Sequence, residues 1–273
     1  MKCIVDSNRL RDEELEKFLL SSPANIAVLT DYAAMEALKG DPVIGMFESM
    51  KILARFSSQV QVLKTTMEVC SLSGSSRGLQ RRLVDIPRTR EFGDFCHSLA
   101  SAHSGNTPLV AQLNKLGNES RAHMARVETD APEFASSSVE AARIFTQEER
   151  RKILAPGQLS SELHRKLLHQ VMYLSAVIFD LHPAVRRLPN SDELINTYIF
   201  RSSLCHLLLG LEYASFGGVD GKTPARIRND MIDSHFATYA TFYDGILSRD
   251  NLTNRLYSAA IQVLDRFRIA FLR

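Results

Sequence analysis

Five carboxylates in this chain fall where the ends of short apolar runs would aim them toward one point. Asp6 closes the run Lys2 to Val5, and Glu36 sits one turn into a helical segment that follows the run Asn25 to Leu29. Asp230 and Asp233 are three apart, hence on one face of a helical segment, and Asp250 follows the run Gly245–Ser248 with one residue between. Carboxylates a few Å apart raise one another's pKa unless cations neutralise them. Hard divalent ions that prefer oxygen ligands, Mg²⁺ or Mn²⁺, are the natural occupants. Two such ions about 4 Å apart activate a water and stabilise the leaving oxygen of an in-line phosphoryl displacement. Taken singly, each acid also reads as a helix cap or a solvated side chain. Asp31 and Asp41 read that way, and Asp250 does too, since it precedes a helical stretch.

The elements that would hold these acids are legible in outline. A strand at Lys2 to Val5, a helix from Asp12 to Leu20 and a strand at Asn25 to Leu29 open the chain. Thr30-Asp31 caps a helix from about Tyr32 to Lys39, stopped by Gly40, and Asp41-Pro42 opens another to about Phe56. Val60 to Leu63 alternates as a third strand. This β-α-β-α-α-β rhythm predicts a parallel sheet with crossover helices, whose ligands bind beyond the carboxyl ends of the strands. Residues 90 to 210 have helical periodicity and no strand pattern, with Ala131-Pro132 and Pro156-Gly157 as breaks. Leu159 to Leu181 and Asp192 to Tyr213 are the two strongest helices. Gly217 to Gly221 forms a loop, Ala225 to Phe242 a helix, Gly245 to Ser248 a strand and Asn251 to Phe267 a helix. Ile269 to Leu272 reads as a last edge strand.

Three blocks carry a family resemblance. Cys3-Ile4-Val5-Asp6-Ser7-Asn8-Arg9-Leu10 resembles the opening of a PIN domain, where an apolar strand ends in Asp-x-Asn-x-Leu. Thr30 to Gly40 resembles that family's second block, with Glu36 in the acidic position. Asn229-Asp230-Met231-Ile232-Asp233, running on to Ser248-Arg249-Asp250, resembles the Asn-Asp-x-x-Asp helix and the strand ending in Thr-x-Asp of larger PIN nucleases, with Ser248 in place of Thr. The resemblance covers about 1–65 and 222–273. It implies an α/β, PIN-like (Rossmann-like) parallel sheet in a discontinuous core, 1–70 and 215–273, around a mainly helical insertion, 71–214. It also implies a Mg²⁺- or Mn²⁺-dependent nuclease acting on RNA more often than DNA, and leaving 5′-phosphate and 3′-hydroxyl ends. By position, Asp6, Glu36, Asp233 and Asp250 would be the catalytic metal acids, with Asp230 also a metal acid or close support and Asp244 a further support. Asn8 and Ser248 would hydrogen-bond the ligands or the phosphate. A toxin, defence or RNA-processing role fits such an enzyme. A non-catalytic PIN-like scaffold and a DNA-directed nuclease of the same chemistry are the alternatives.

The remaining signals are weaker. Gly217-Gly218-Val219-Asp220-Gly221-Lys222-Thr223 is one residue short of a P-loop and follows a helix. Lys222, Arg226 and Arg228 read either as a basic rim for a substrate phosphate or as solvated residues. The arginines from Arg77 to Arg90 read as an RNA-contacting loop or a surface linker. Met172, Tyr173, Leu174, Val177 and Ile178 read as core packing or a homodimer face, and the helical middle as the place for a protein partner or inhibitor. His235 reads as packed or on the surface. Four cysteines without a C-x-x-C pair are expected as reduced thiols, and the eight histidines lack metal-ligand spacing. At 273 residues, 45% hydrophobic and 23% charged, with 33 Lys+Arg against 31 Asp+Glu, the chain has a core's worth of apolar residues. That composition excludes disorder as the main state. No run reaches the ~18 apolar residues of a membrane span, and Asp6 interrupts any secretory signal. A cytoplasmic location without membrane contact is expected.

Overall fold

The computed structural model describes residues 1–155, 157, 159–183, 185 and 188–271, the last four as backbone. It is α/β: one four-stranded, all-parallel sheet accompanied by helices. The strands are β1 (Lys2–Val5), β2 (Ile26–Leu29), β3 (Val60–Val62) and β4 (Gly245–Leu247), in the order β3-β2-β1-β4. Register is fixed by Cys3 opposite Ala27 on one side and Gly245 on the other. All three apolar runs of the first third are therefore strands, and the fourth joins them from more than 180 residues away.

The chain divides into two compact units, each assembled from three segments. The first comprises 1–66, 80–127 and 243–250, and so holds the whole sheet. Its helices include α1 (Glu13–Ser21), α2 (Asp31–Ala37) and α3 (Pro42–Arg55), capped by Asp12, Thr30 and Asp41 side chains. Each cap oxygen accepts from an amide that the first helical turn leaves unpaired. Gly40 ends the α2 segment at φ 74°, a conformation that suits glycine. The helix α4 (Thr66–Cys70) starts at the last residue of the first of these segments and runs on into the second unit, the short helices α5 (Leu79–Leu83) and α6 (Ile86–Arg90) occupy the Arg-rich stretch, and α7 (Phe92–His103) packs on α3. Val5, Leu10, Leu15, Leu29, Met50, Leu53, Phe92 and Leu99 form the core of this unit.

The second unit comprises 67–79, 128–242 and 251–273. It takes the later part of the long α8 (Thr107–Ala142), then α9 (Gln147–Leu154), α10 (Ser161–Leu181), α11 (Ser191–Leu194), α12 (Tyr198–Ser215), α13 (Pro224–Ala240) and α14 (Asn251–Phe271). The α12 helix is buried on nearly every face, with α9, α10, α13 and α14 against it. These bounds differ from the expected core and insertion. The helices α13 and α14 bury Ile227, Leu256, Val263 and Phe267 in the α12 core, whereas Phe92, Leu99 and Leu113 from the expected insertion complete the core under the sheet.

Four local expectations are corrected. Pro132 lies inside α8 because Ala131 and Ala135 are fully buried in the second core, and their packing carries the helix through the missing amide. The helix expected from Asp192 to Tyr213 is interrupted at 195–197, where Thr197 restarts it by accepting from the Phe200 amide. Thr30 is the cap, and Asp31 stands in the first turn, its carboxyl accepting from the Tyr32 amide at 3.0 Å and from the Thr66 amide and hydroxyl at 2.7 and 3.0 Å. Ile269 continues α14 rather than forming an edge strand, and Leu272 lies outside the described residues. Pro156, one of the expected breaks, also lies outside them, and Gly157 takes φ 144°.

Candidate active site

The chain winds from β1 outward through β2 to β3, then returns to pair β4 on the other side of β1. The crevice beyond the carboxyl ends of β1 and β4 is thus the switch point of the sheet, the usual ligand position in open parallel sheets. Asp6 stands there, 2% exposed, as the cap of the 3-10 turn Ser7–Arg9. Its Oδ2 accepts from Ser248 Oγ at 2.5 Å and Asn8 Nδ2 at 2.6 Å. Its Oδ1 accepts from the Asn8 amide at 3.5 Å and lies 3.3 Å from Ser7 Oγ. The single Ser7 hydroxyl proton goes to the nearer Glu36 Oε2, so one hydroxyl lies between the two carboxylates. Glu36 Oε1 pairs with Lys39 at 2.6 Å.

Burial is the main force raising the Asp6 pKa, and the neighbouring Glu36 charge adds to it. The hydrogen bonds from Ser248 and Asn8 pull the other way without cancelling the rise. Asp250 is half-buried, and its amide donates to Ser248 Oγ at 3.0 Å, which ties the end of the β4 turn to the same hydroxyl that holds Asp6.

Three residues around this centre escaped the sequence reading. Ser7 was part of the motif but had no role. Arg249 lies between Ser248 and Asp250; its amide donates to Asn8 Oδ1 at 3.0 Å, and its guanidinium pairs with Asp12 at 2.6 Å. Arg9 pairs with the same carboxylate. Hydrogen bonds from Arg249, the Glu14 amide and Arg9 hold Asp12 well below the usual carboxylate range. The available signal was position: Ser7 adjoins Asp6, Arg249 adjoins Ser248 and Asp250, and Arg9 follows Asn8 of the same motif.

Asp244 exchanges hydrogen bonds with Lys2, accepting at 2.7 Å and donating its amide at 2.9 Å. It therefore sits at the amino end of β1 and β4, the opposite end from Asp6, because the parallel register places the residue before β4 beside the start of β1. It is no support for the site. Asp230 and Asp233 belong to the second unit. Asp230 is buried and accepts from Tyr213 Oη at 2.8 Å and Lys222 Nζ at 2.6 Å. Burial raises the Tyr213 pKa most, with the charges of Asp230 and Asp233 adding to it. Two of the three cations of the expected rim are thus engaged within that unit: Lys222 with Asp230, and Arg228 with Glu128 at 2.5 Å. Arg226 is exposed. His235 is packed, with Nδ1 at 2.8 Å from Tyr198 Oη.

Among the described residues, no three His, Cys, Asp or Glu side chains are grouped to hold a metal ion. The donor set at Asp6 and Glu36 nevertheless fits one Mg²⁺ or Mn²⁺. Mg²⁺ keeps several waters and commonly uses one or two protein carboxylates plus substrate phosphate. Asp6 Oδ1 and Glu36 Oε2 both lie within reach of Ser7 Oγ, close enough for one cation to serve both. Among the described residues, no helix is long and apolar enough to cross a membrane. Set against known protein families, curated proteins and solved structures, the chain finds no match in any of the three.

Proposed function

We propose that the first unit is a PIN-like, Mg²⁺- or Mn²⁺-dependent phosphodiesterase centre that cuts RNA in preference to DNA. The observation that carries this reading is the Asp6–Glu36 pair, joined through Ser7 at the switch point of a parallel sheet. Asp6 and Glu36 would hold the ion, and Asp250 would face it from the β4 turn. A bound ion would supply a more acidic water and charge relief for the phosphate. Asn8 and Ser248 orient Asp6 by donating to one of its oxygens. Arg249, 61% exposed at its side chain, is placed to meet a phosphate oxygen. No protein nucleophile is needed. Toxin, defence and RNA-processing roles are all consistent with this chemistry.

One observation favours a second reading, a non-catalytic scaffold. Asp6 already accepts hydrogen bonds at both oxygens, from Ser248, Asn8 Nδ2 and the Asn8 amide, and Glu36 is held by Ser7 and Lys39, so the pair is satisfied without an ion. The two readings part on cleavage of labelled single-stranded RNA and DNA in Mn²⁺, Mg²⁺ or EDTA, with Asp6→Asn, Glu36→Gln and Asp233→Asn beside the wild type. Metal-dependent RNA cutting is expected, reduced at least about 100-fold in the first two variants. That exceeds the 10–100-fold loss typical when only an outer hydrogen-bond partner is removed. Thermal melting with Mn²⁺ gives the companion readout: a gain of about 2.7 kcal/mol at a hundredfold excess over Kd, absent in Asp6→Asn. No cutting and no Mn²⁺ gain establishes the scaffold instead.

A further inference from the structure

A groove of about 410 Å³ lies between α1 and β4, an edge strand of the sheet, within the first unit. One wall is the α1 face that carries Glu14, Lys17 and Phe18, which helical spacing sets side by side. The other wall is β4, and the groove reaches Ser248, whose hydroxyl holds Asp6. Charge along it is uneven. Lys17 is matched by Glu14 at 3.0 Å and Glu13 at 3.6 Å. Arg9, which also lines the groove, shares one acid with Arg249: Arg9 Nη1 and Arg249 Nε and Nη2 all donate to Oδ2 of the buried Asp12. Two guanidinium charges on one carboxylate leave one positive charge uncompensated beside the groove. Arg9 Nε and Nη2 and Arg249 Nη1 find no partner among the described residues, so the pair has donors to spare.

We propose that this groove is a nucleotide subsite, holding one nucleotide of the substrate strand with its phosphate on Arg9 and Arg249 and its base against the Phe18 ring. Guanidinium forks match phosphate oxygens in geometry and charge. An aromatic face stacks on any base, so the subsite is tolerant of sequence. Phe18 is half-buried and lies six residues past Asp12, about 9 Å along the α1 axis, which separates the anion-binding and stacking groups by the length of a nucleotide. The inference rests on the phosphodiesterase reading in one respect: a nucleotide held beside Ser248 is the neighbour of the phosphate at Asp6. The contacts themselves need neither a metal ion nor cutting.

Calorimetric titration of the full chain in EDTA with adenosine 5′-monophosphate, uridine 5′-monophosphate, adenosine and inorganic phosphate tests this. Both nucleotides are expected to bind with similar affinity, and adenosine and phosphate each at least about tenfold more weakly. Arg9→Gln and Arg249→Gln should each bring the nucleotides down toward adenosine, by at least about tenfold. Phe18→Leu keeps an apolar side chain at its half-buried position and removes only the ring. It should bring the nucleotides down toward phosphate, by at least about fivefold. Circular dichroism of each variant should stay at the wild-type signal. A wild type that binds no nucleotide overturns the proposal, as does phosphate bound as tightly as nucleotide or a set of folded variants that bind like the wild type. Nucleotide binding of the expected pattern without any cutting of RNA keeps the subsite and removes the metal-dependent reading. Cutting that is unchanged in Arg9→Gln and Phe18→Leu removes the subsite and keeps that reading.

Discussion

Ser248 concentrates more of the site's physics than any other uncharged residue. Its hydroxyl donates to Asp6 across a separation of 242 residues and accepts the Asp250 amide. Removing it leaves a buried carboxylate short of one donor, a loss of about 1–2 kcal/mol. That loss depends on pH with a definite sign. The folded-state pKa of Asp6 is raised, so between its unfolded and folded values the native state binds more protons. Stability then falls as pH rises through this window and is level above it. In Ser248→Ala the pKa rises further and the window widens. The variant should be weakest relative to wild type near neutrality, and the gap should close once acid has protonated Asp6. Urea unfolding of both proteins at several pH values gives the difference, in which the upward shift of Asp31 and the downward shift of Asp12 cancel.

Packing at the scale of elements reverses one expectation from propensity alone. Gly210 lies mid-helix in α12, where alanine would ordinarily gain up to about 1 kcal/mol. A Cβ there would run into the carbonyl oxygen of Ser138 on α8. Gly210→Ala is therefore expected to cost about 1–3 kcal/mol, read as a lowered Tm, because helix backbone cannot yield as a flexible side chain can. The same scale shows what could be read from sequence. Caps are local chemistry, so Asp12, Thr30 and Asp41 marked helix starts within a residue or two. The strand-end positions of Asp6 and Glu36 followed from the same local signals. What local signals could not supply was register. Asp244 and Asp250 flank one short strand, and its parallel pairing with β1 decides that Asp250, not Asp244, lies at the end where Asp6 stands. Tertiary burial overrode Pro132, and the division of helices between two cores depends on apolar faces whose partners lie far along the chain.

For the whole molecule, the governing fact is that neither unit is one continuous piece of chain. The sheet-bearing unit takes its edge strand from 245–247, so a fragment of residues 1–127 keeps Asp6 and Glu36 but lacks β4 and Ser248. That fragment is expected to be unfolded, or to melt more than about 10 °C below the full chain, without a gain from Mn²⁺; scanning fluorimetry of both settles the comparison. The late arrival of β4 also sets a clock. During synthesis, β1 must wait for about 240 more residues before its second neighbour exists. Until then the switch-point crevice has only one wall, and the hydroxyl that orients Asp6 has not been made. On the function proposed above, a cutting centre built this way would be harmless to the message and the ribosome that produce it. Its competence arrives with the closing of the sheet, as an event of folding rather than of regulation.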